Sequence, residues 1–173
     1  GKVISYDPNW RQHLWSSEDE GIAGMRLGLK YCDIIKVSEE ELELVTHCSS
    51  IENGIKALID GGIRIVLVTQ GSEGCYVGID SAIRHVPPYS VHAIDTTGSG
   101  DSYLGAFLHK FLMSNKGLKD VRVDDVVEWA DYANASGALC ASRTGSIPSL
   151  PTPDEIRGYI DMAVDATPRS ISG

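Results

Sequence analysis

The chain has 173 residues, 42% of them hydrophobic, which is enough to bury one core in a single domain. Fifteen Lys and Arg face 24 Asp and Glu, for a formal net charge of -9. That balance argues against a nonspecific nucleic-acid or anionic-membrane surface, where clustered cations must neutralise phosphates. No apolar run approaches a membrane span, and Gly1 to Ser5 opens on strand-like sequence without a basic leader and apolar signal core, so the expected compartment is the cytoplasm.

In chain order, Val3 to Asp7 reads as a strand ending at Asp7-Pro8-Asn9, and Asp33 to Val37 as a second strand after a helical stretch around Met25 to Tyr31. Glu39 to Val45 and Ile51 to Asp60 read as helices, the latter stopped by Gly61-Gly62. Ile63 to Thr69 is a near-continuous β-branched run, the pattern of a parallel strand covered on both faces. Gly71 to Gly74 turns the chain into Cys75 to Ile79, and Ile83 to Val91 adds an extended piece with Pro87-Pro88 at an edge or loop. Asp101 to Met113, Val123 to Ser142 and Asp154 to about Val164 carry helical spacing, the last two separated by Pro148, Pro151 and Pro153. This alternation predicts an α/β domain over residues 1–165, a Rossmann-like parallel sheet with helices on both faces, followed by a loosely ordered tail over 166–173. Ligand sites in such a sheet lie beyond the C-terminal strand ends.

Cys32, Cys48, Cys75 and Cys140 are widely separated and sit in apolar or helical contexts, so they read as reduced thiols without zinc or disulfide pairing. The five histidines show no metal spacing, and Trp10, Trp15 and Trp129 read as packing residues.

The chemistry concentrates at Asp95-Thr96-Thr97-Gly98-Ser99-Gly100-Asp101, which leads straight into an apolar helix. A small-residue turn there aims several main-chain N–H groups at one point, and Gly98 and Gly100 let a phosphate oxygen approach the backbone closely. Asp101 at its mouth is placed to accept a proton from an attacking hydroxyl while the N–H groups stabilise charge on a transferred phosphoryl group. A plainer reading makes Thr97 or Ser99 a helix cap and Asp101 a favourable charge at the helix dipole.

From Asp95 to Leu108, including Gly105-Ala106, the sequence resembles the second signature of the ribokinase (PfkB) carbohydrate kinase family position by position, with fructokinases the most similar members. The resemblance implies a ribokinase-like fold and ATP-dependent phosphorylation of a sugar hydroxyl, with Mg²⁺ and also K⁺ as cofactors. Asp101 becomes the catalytic base, and Gly98, Ser99 and Gly100 the anion hole around the γ-phosphate. Thr69-Gln70-Gly71-Ser72-Glu73-Gly74 looks like the family's nucleotide turn, implying contacts from Thr69, Gly71, Ser72 and Gly74. Lys36 to Glu41 occupies the place of the Asn-x-x-Glu segment, with Ser38 where many members have Asn. Glu41 would meet Mg²⁺ through ordered water, although acidic residues after Ser38 also suit a helix first turn. Asn134 to Ser149 resembles the helix that walls the adenine pocket and then binds K⁺, placing Asn134 at the adenine. Asp95, Thr97, Cys140, Arg143, Gly145 and Ser149 are the implied cation site. Asp7-Pro8-Asn9-Trp10-Arg11 followed by Leu14-Trp15 resembles a segment shared by fructokinases and 2-keto-3-deoxygluconate kinases, and makes Arg11 a substrate contact or a surface residue at the end of a turn.

The resemblance covers only the latter half of a family member; the first signature is absent. The 173-residue chain alone is therefore expected to phosphorylate sugar weakly or not at all, and the full-length protein to be a homodimer. A 2-keto-3-deoxygluconate kinase, a noncatalytic nucleotide-binding paralogue and a purely structural α/β domain are the competing readings.

Overall fold

Short β-branched runs alternating with capped helices set the order of the chain. The structure, a computed structural model, describes residues 1–166. The tail expected over 166–173 lies outside the described residues except for Ala166. The elements are β1 (Ser5–Tyr6), α1 (Glu18–Leu29), β2 (Ile34–Ser38), α2 (Glu39–Thr46), α3 (Ile51–Asp60), β3 (Ile65–Thr69), β4 (Cys75–Ile79), β5 (Ala82–Val86), α4 (Ser99–Met113), α5 (Val123–Ala141) and α6 (Pro153–Ala166). One five-stranded sheet runs β1-β2-β3-β4-β5, with β1–β2 and β2–β3 parallel. Helical crossovers between these parallel strands are what the geometry requires, since a tight turn joins only antiparallel neighbours.

Packing divides the chain into two units. The first comprises Gly1–Gln70 and Tyr76–Ile83, the second Gly71–Cys75 and the residues from Arg84 onward.

In the first unit, Ile35 and Val37 of β2 and Val66 and Val68 of β3 join Met25, Leu42, Val45, Ile55 and Leu58 in one buried cluster. Ile34, Ile65 and Leu67, which alternate with them, are also fully buried, so the continuous apolar sequence of these strands reflects burial on both faces. Each such side chain contributes about 1.5–3 kcal/mol relative to leaving it in water. Ser38 caps α2 with a reciprocal box: its Oγ accepts from the Glu41 N–H at 3.1 Å, and its own N–H donates to Glu41 Oε2 at 2.7 Å. Ser38→Ala is expected to destabilise this unit by about 1 kcal/mol, read as a lower urea midpoint at unchanged slope.

Two elements differ from expectation. The strand expected over Val3 to Asp7 is only two residues long, with Val3 and Ile4 exposed. Helix α1 begins at Glu18, well before the stretch around Met25, because Ser17 accepts from the Glu20 N–H and three acidic residues fill the first turn. Gly21, Gly24 and Gly28 mask that start by lowering helix propensity. Each is instead a notch for a ring: an added Cβ would overlap Trp10 at Gly21, lie 2.5 Å from Trp15 at Gly24, and 2.5 Å from Tyr6 at Gly28.

In the second unit, α4 and α5 pack through Phe107 and Phe111 against Trp129, with ring centroids 5.8 and 5.7 Å apart. Ser102 and Ser136 join the same two helices through hydroxyls 2.8 Å apart. The extended piece expected over Ile83 to Val91 becomes β5 and stops before Pro87, which has no N–H to offer a ladder. None of the four cysteines forms a disulfide; Cys32, Cys75 and Cys140 are buried. No helix among the described residues is long and apolar enough to cross a membrane.

Candidate functional site

The residues singled out from the sequence fall into two groups, one in each unit. In the second unit, Gly98 is the N-cap of α4 with left-handed backbone angles (φ 82, ψ -2) and no side-chain cap. A Cβ at this position would stand 2.8 Å from Ser146 Oγ, so the turn needs glycine twice over. Ser99 N–H donates to Thr96 O and Ser102 N–H to Gly98 O, while the N–H groups of Gly100 and Asp101 have no partner among the described residues. They form the open positive end of a 15-residue helix. Ser99 Oγ is buried and has no hydrogen-bond partner, so the cradle holds an unmet polar group beside unmet N–H donors. Asp101 is exposed in the first turn, at the rim of a groove of about 220 Å³ whose walls include Gly105, His109, Tyr132, Ser136 and Ile156.

A second turn is locked to this one. Asp95 Oδ1 accepts from the Thr97 N–H at 2.9 Å and Oδ2 from the Gly145 N–H at 3.0 Å. Bonds from the Thr97 side chain and main chain, then from Gly145, hold its carboxyl below the usual carboxylate range. Ala141 O accepts from the N–H groups of both Ile94 and Asp95. Ser149, fully buried, donates to Ser146 O at 2.6 Å and lies 3.1 Å from Cys140 Sγ, which also approaches Thr97 O. Of the six residues implied for K⁺, Asp95, Thr97, Arg143, Gly145 and Ser149 thus lie on turns held together, with Cys140 at the end of α5 beside them. The Ser149 hydroxyl gives its proton to Ser146 O, so its oxygen meets Cys140 Sγ as an acceptor, and the oxygen atoms of this group are of the kind a hard monovalent ion takes.

Arg143 reaches from this loop to Glu155 at the start of α6, 2.6 Å away. The Thr152 N–H, then Arg143, lower the Glu155 carboxyl from 4.5 to about 2. A depressed acid stabilises the folded state fully above its unfolded value and loses that stabilisation as pH falls through the folded one. The Glu155 carboxyl ¹³C titration should therefore have its midpoint near 2, and Arg143→Met should move it part of the way back toward 4.5.

The glycine turn also belongs to this unit. Gly71 and Gly74 have φ of 56 and 90, and Gly74 presses so closely on the strand that a Cβ would overlap Val86 O. Ser72 is exposed, its hydroxyl 3.3 Å from Glu73. Asn134 is buried, and its Nδ2 donates to Val86 O at 3.2 Å and Pro87 O at 3.1 Å, so its amide nitrogen is already engaged by main chain.

In the first unit, Ser38, Glu41, Thr69 and Arg11 stand at or just beyond the C-terminal ends of β1, β2 and β3, where parallel sheets bind ligands. Thr69 Oγ1 donates to Val37 O at 3.4 Å. Glu41 is 6% exposed, and both its oxygens are in use: besides Ser38, the Trp10 N–H donates to Oε1 at 2.7 Å. Contact with a cation would therefore run through water on the remaining lone pairs. Arg11 is exposed and donates to Trp10 O at 2.8 Å. Sequence reasoning missed the pair formed by Lys36 and Asp7, 3.2 Å apart with each side chain 9% exposed; burial pushes the Asp7 carboxyl up, opposed by Lys36. Their parallel register, one step beyond Tyr6 opposite Ile35, is invisible until the strands are paired.

Residues 1–153 match the model of the pfkB family carbohydrate kinases. Fructokinase-1 of Zea mays is 37% identical over 164 residues, covering 94% of this chain and 50% of its own. Fructokinase from Vibrio cholerae O395, crystallised with fructose, ADP and calcium, superposes with a TM-score of 0.82 at 31% identity over 91% of this chain and 50% of that one. A double mutant of it with fructose, ADP and potassium gives 0.83 at 30% identity over the same shares. These matches give the sheet and its helices a ribokinase-like fold. The chain spans about half the length of these relatives.

Proposed function

Because the chain belongs to the pfkB family of carbohydrate kinases, we propose that it is the nucleotide-binding and catalytic-base part of an ATP-dependent sugar kinase, with fructose as acceptor. The observation that carries this reading is the uncapped N-terminus of α4, where two free N–H groups and the unpartnered Ser99 hydroxyl stand within one turn of an exposed carboxylate.

The chemistry follows from that turn. A γ-phosphate at the N–H groups of Gly100 and Asp101 has its spreading negative charge met by fixed dipoles. Asp101 takes the proton of the acceptor hydroxyl as its oxygen bonds to phosphorus, the bond to the bridging oxygen breaks, and ADP leaves with that electron pair. The groove beside Asp101 gives the acceptor a way in. Gly71 to Gly74 offers main-chain contacts to the nucleotide, and Asn134 lines the adenine side through its remaining amide oxygen. Mg²⁺, when bound, would neutralise phosphate charge; in the first unit Glu41 would meet such an ion only through water. Asp95, Thr97 and the Cys140 to Ser149 segment would hold K⁺, which would supply positive charge to these turns.

Titrating Mg²⁺·ATP into ¹⁵N-labelled chain should shift the amide signals of Gly98 to Asp101 more than those of the α5 interior. If ATP binds while those four signals stay still, or leaves the whole spectrum unchanged, the reading fails.

A further inference from the structure

We infer that a groove on the first unit, between α1 and the end of α2, is a second ligand site, built for a sugar phosphate. Arg26, Lys30 and His47 meet the phosphate, and Asp19 accepts from hydroxyls at the other end of the sugar. The groove has a volume of about 550 Å³, within the range of small-molecule sites. It shares no residue with the proposed kinase site.

Asp19, Ile22, Ala23, Arg26 and Lys30 recur at helical spacing, so α1 presents them on one face. His47 lines the groove from the end of α2. Three of the four ionisable groups in it are basic, in a chain whose net charge is -9. Among the described residues, the side chains of Lys30, His47 and Asp19 have no hydrogen bond or ion pair. Arg26 is held instead: its Nε donates to Val45 O at 2.9 Å and its Nη2 to Leu44 O at 3.4 Å. These are last-turn carbonyls of α2, so a helix end fixes the guanidinium and leaves Nη1 open to an anion. A donor already immobilised loses little freedom on binding. His47 has left-handed backbone angles (φ 59, ψ 24) at a position where glycine is the usual residue. Glycine would serve the helix end as well or better, so the imidazole needs another reason to be there, and a phosphate beside Arg26 supplies it.

The charges are also sorted along the groove. Asp19 lies two turns before Arg26, about 10 Å along the axis of α1, with Ile22 and Ala23 between them. One end therefore attracts an anion, the middle is apolar enough for the C–H face of a sugar, and the other end accepts from hydroxyls. A second anionic group at that end would meet Asp19, which disfavours polyphosphates and acidic peptides.

The test uses the isotope-labelled 173-residue chain, with affinities read by NMR from the Arg26 side-chain and His47 amide signals. Fructose 6-phosphate should shift both and bind about tenfold or more tightly than inorganic phosphate, because only the ester reaches the apolar wall and Asp19. AMP should bind more weakly than fructose 6-phosphate, and fructose alone should leave both signals still. Lys30→Gln should lower affinity for both phosphates about fivefold; it spares Arg26, whose loss would uncap α2. Asp19→Asn should weaken fructose 6-phosphate about threefold and not weaken inorganic phosphate. His47→Gly should keep the urea midpoint at or above wild type while lowering affinity about threefold, an outcome a merely structural histidine would not give. Unmoved Arg26 signals, equal affinity for fructose 6-phosphate and inorganic phosphate, tighter binding of AMP, or an Asp19→Asn variant that treats both phosphates alike would each overturn the assignment. Failure of the kinase reading has a separate signature, the absence of ATP-induced shifts at Gly98 to Asp101.

Discussion

In the full-length protein, replacing Asp101 by Asn is expected to lower sugar phosphorylation by a factor of about 10² to 10⁴ while Mg²⁺·ATP affinity stays within about threefold of wild type. Asn keeps the size of the side chain and one acceptor oxygen but cannot take the acceptor proton. It also removes a negative charge from the mouth of an anion cradle, so nucleotide binding has no reason to weaken. The helix survives, since a charge at this end contributes only about 0.3–1 kcal/mol. Steady-state rates against calorimetric ATP affinity separate the two effects. Turnover retained above about a tenth of wild type would remove Asp101 from the base role.

Gly74→Ala is expected to destabilise the second unit by about 2–5 kcal/mol, the sum of left-handed strain and overpacking. The atoms in the way are main chain: Val86 O, Pro88 N at 2.8 Å and Pro87 C at 2.9 Å. None can rotate aside as a side chain would. Moving them also disturbs the two carbonyls that hold Asn134, so the strain reaches the adenine side of the proposed site. Gly71 is the built-in control, with φ of 56 and nothing within 4 Å of an added Cβ. Gly71→Asn should therefore cost no more than about 1 kcal/mol, because Asn tolerates that conformation. Urea midpoints of the two variants side by side test the argument; equal midpoints would refute it.

Much of this molecule was legible before its structure. The β-branched runs gave β2 and β3, the box residues gave α2, and the turn from Asp95 to Asp101 announced an uncapped helix end at α4. What stayed hidden shares one property: it depends on partners far apart in the chain. A carboxylate bonded to a main-chain N–H 31 residues away leaves no mark on either residue, so the bond from Trp10 to Glu41 could not be read from the sequence. The bonds from the Asn134 amide nitrogen to Val86 O and Pro87 O were likewise hidden, since they join residues 48 and 47 positions apart. Helix α1 was read short because its glycines count against a helix locally, while the rings that make use of them lie up to 22 residues earlier in the sequence.

Those three glycines also bear on the order in which the first unit assembles. A 12-residue helix carrying them loses about 1 kcal/mol per glycine relative to alanine, too much for so short a segment to persist alone in water. It becomes stable only once Tyr6, Trp10 and Trp15 lie against it, which requires β1 and its loop to be in place. Helix α1 should therefore be a late arrival on the folding route and the earliest part of the unit to open, exchanging its amide protons ahead of the β2 and β3 ladder. Trp10 and Trp15, which pack against that helix, would report each opening as a change in indole emission, without any label.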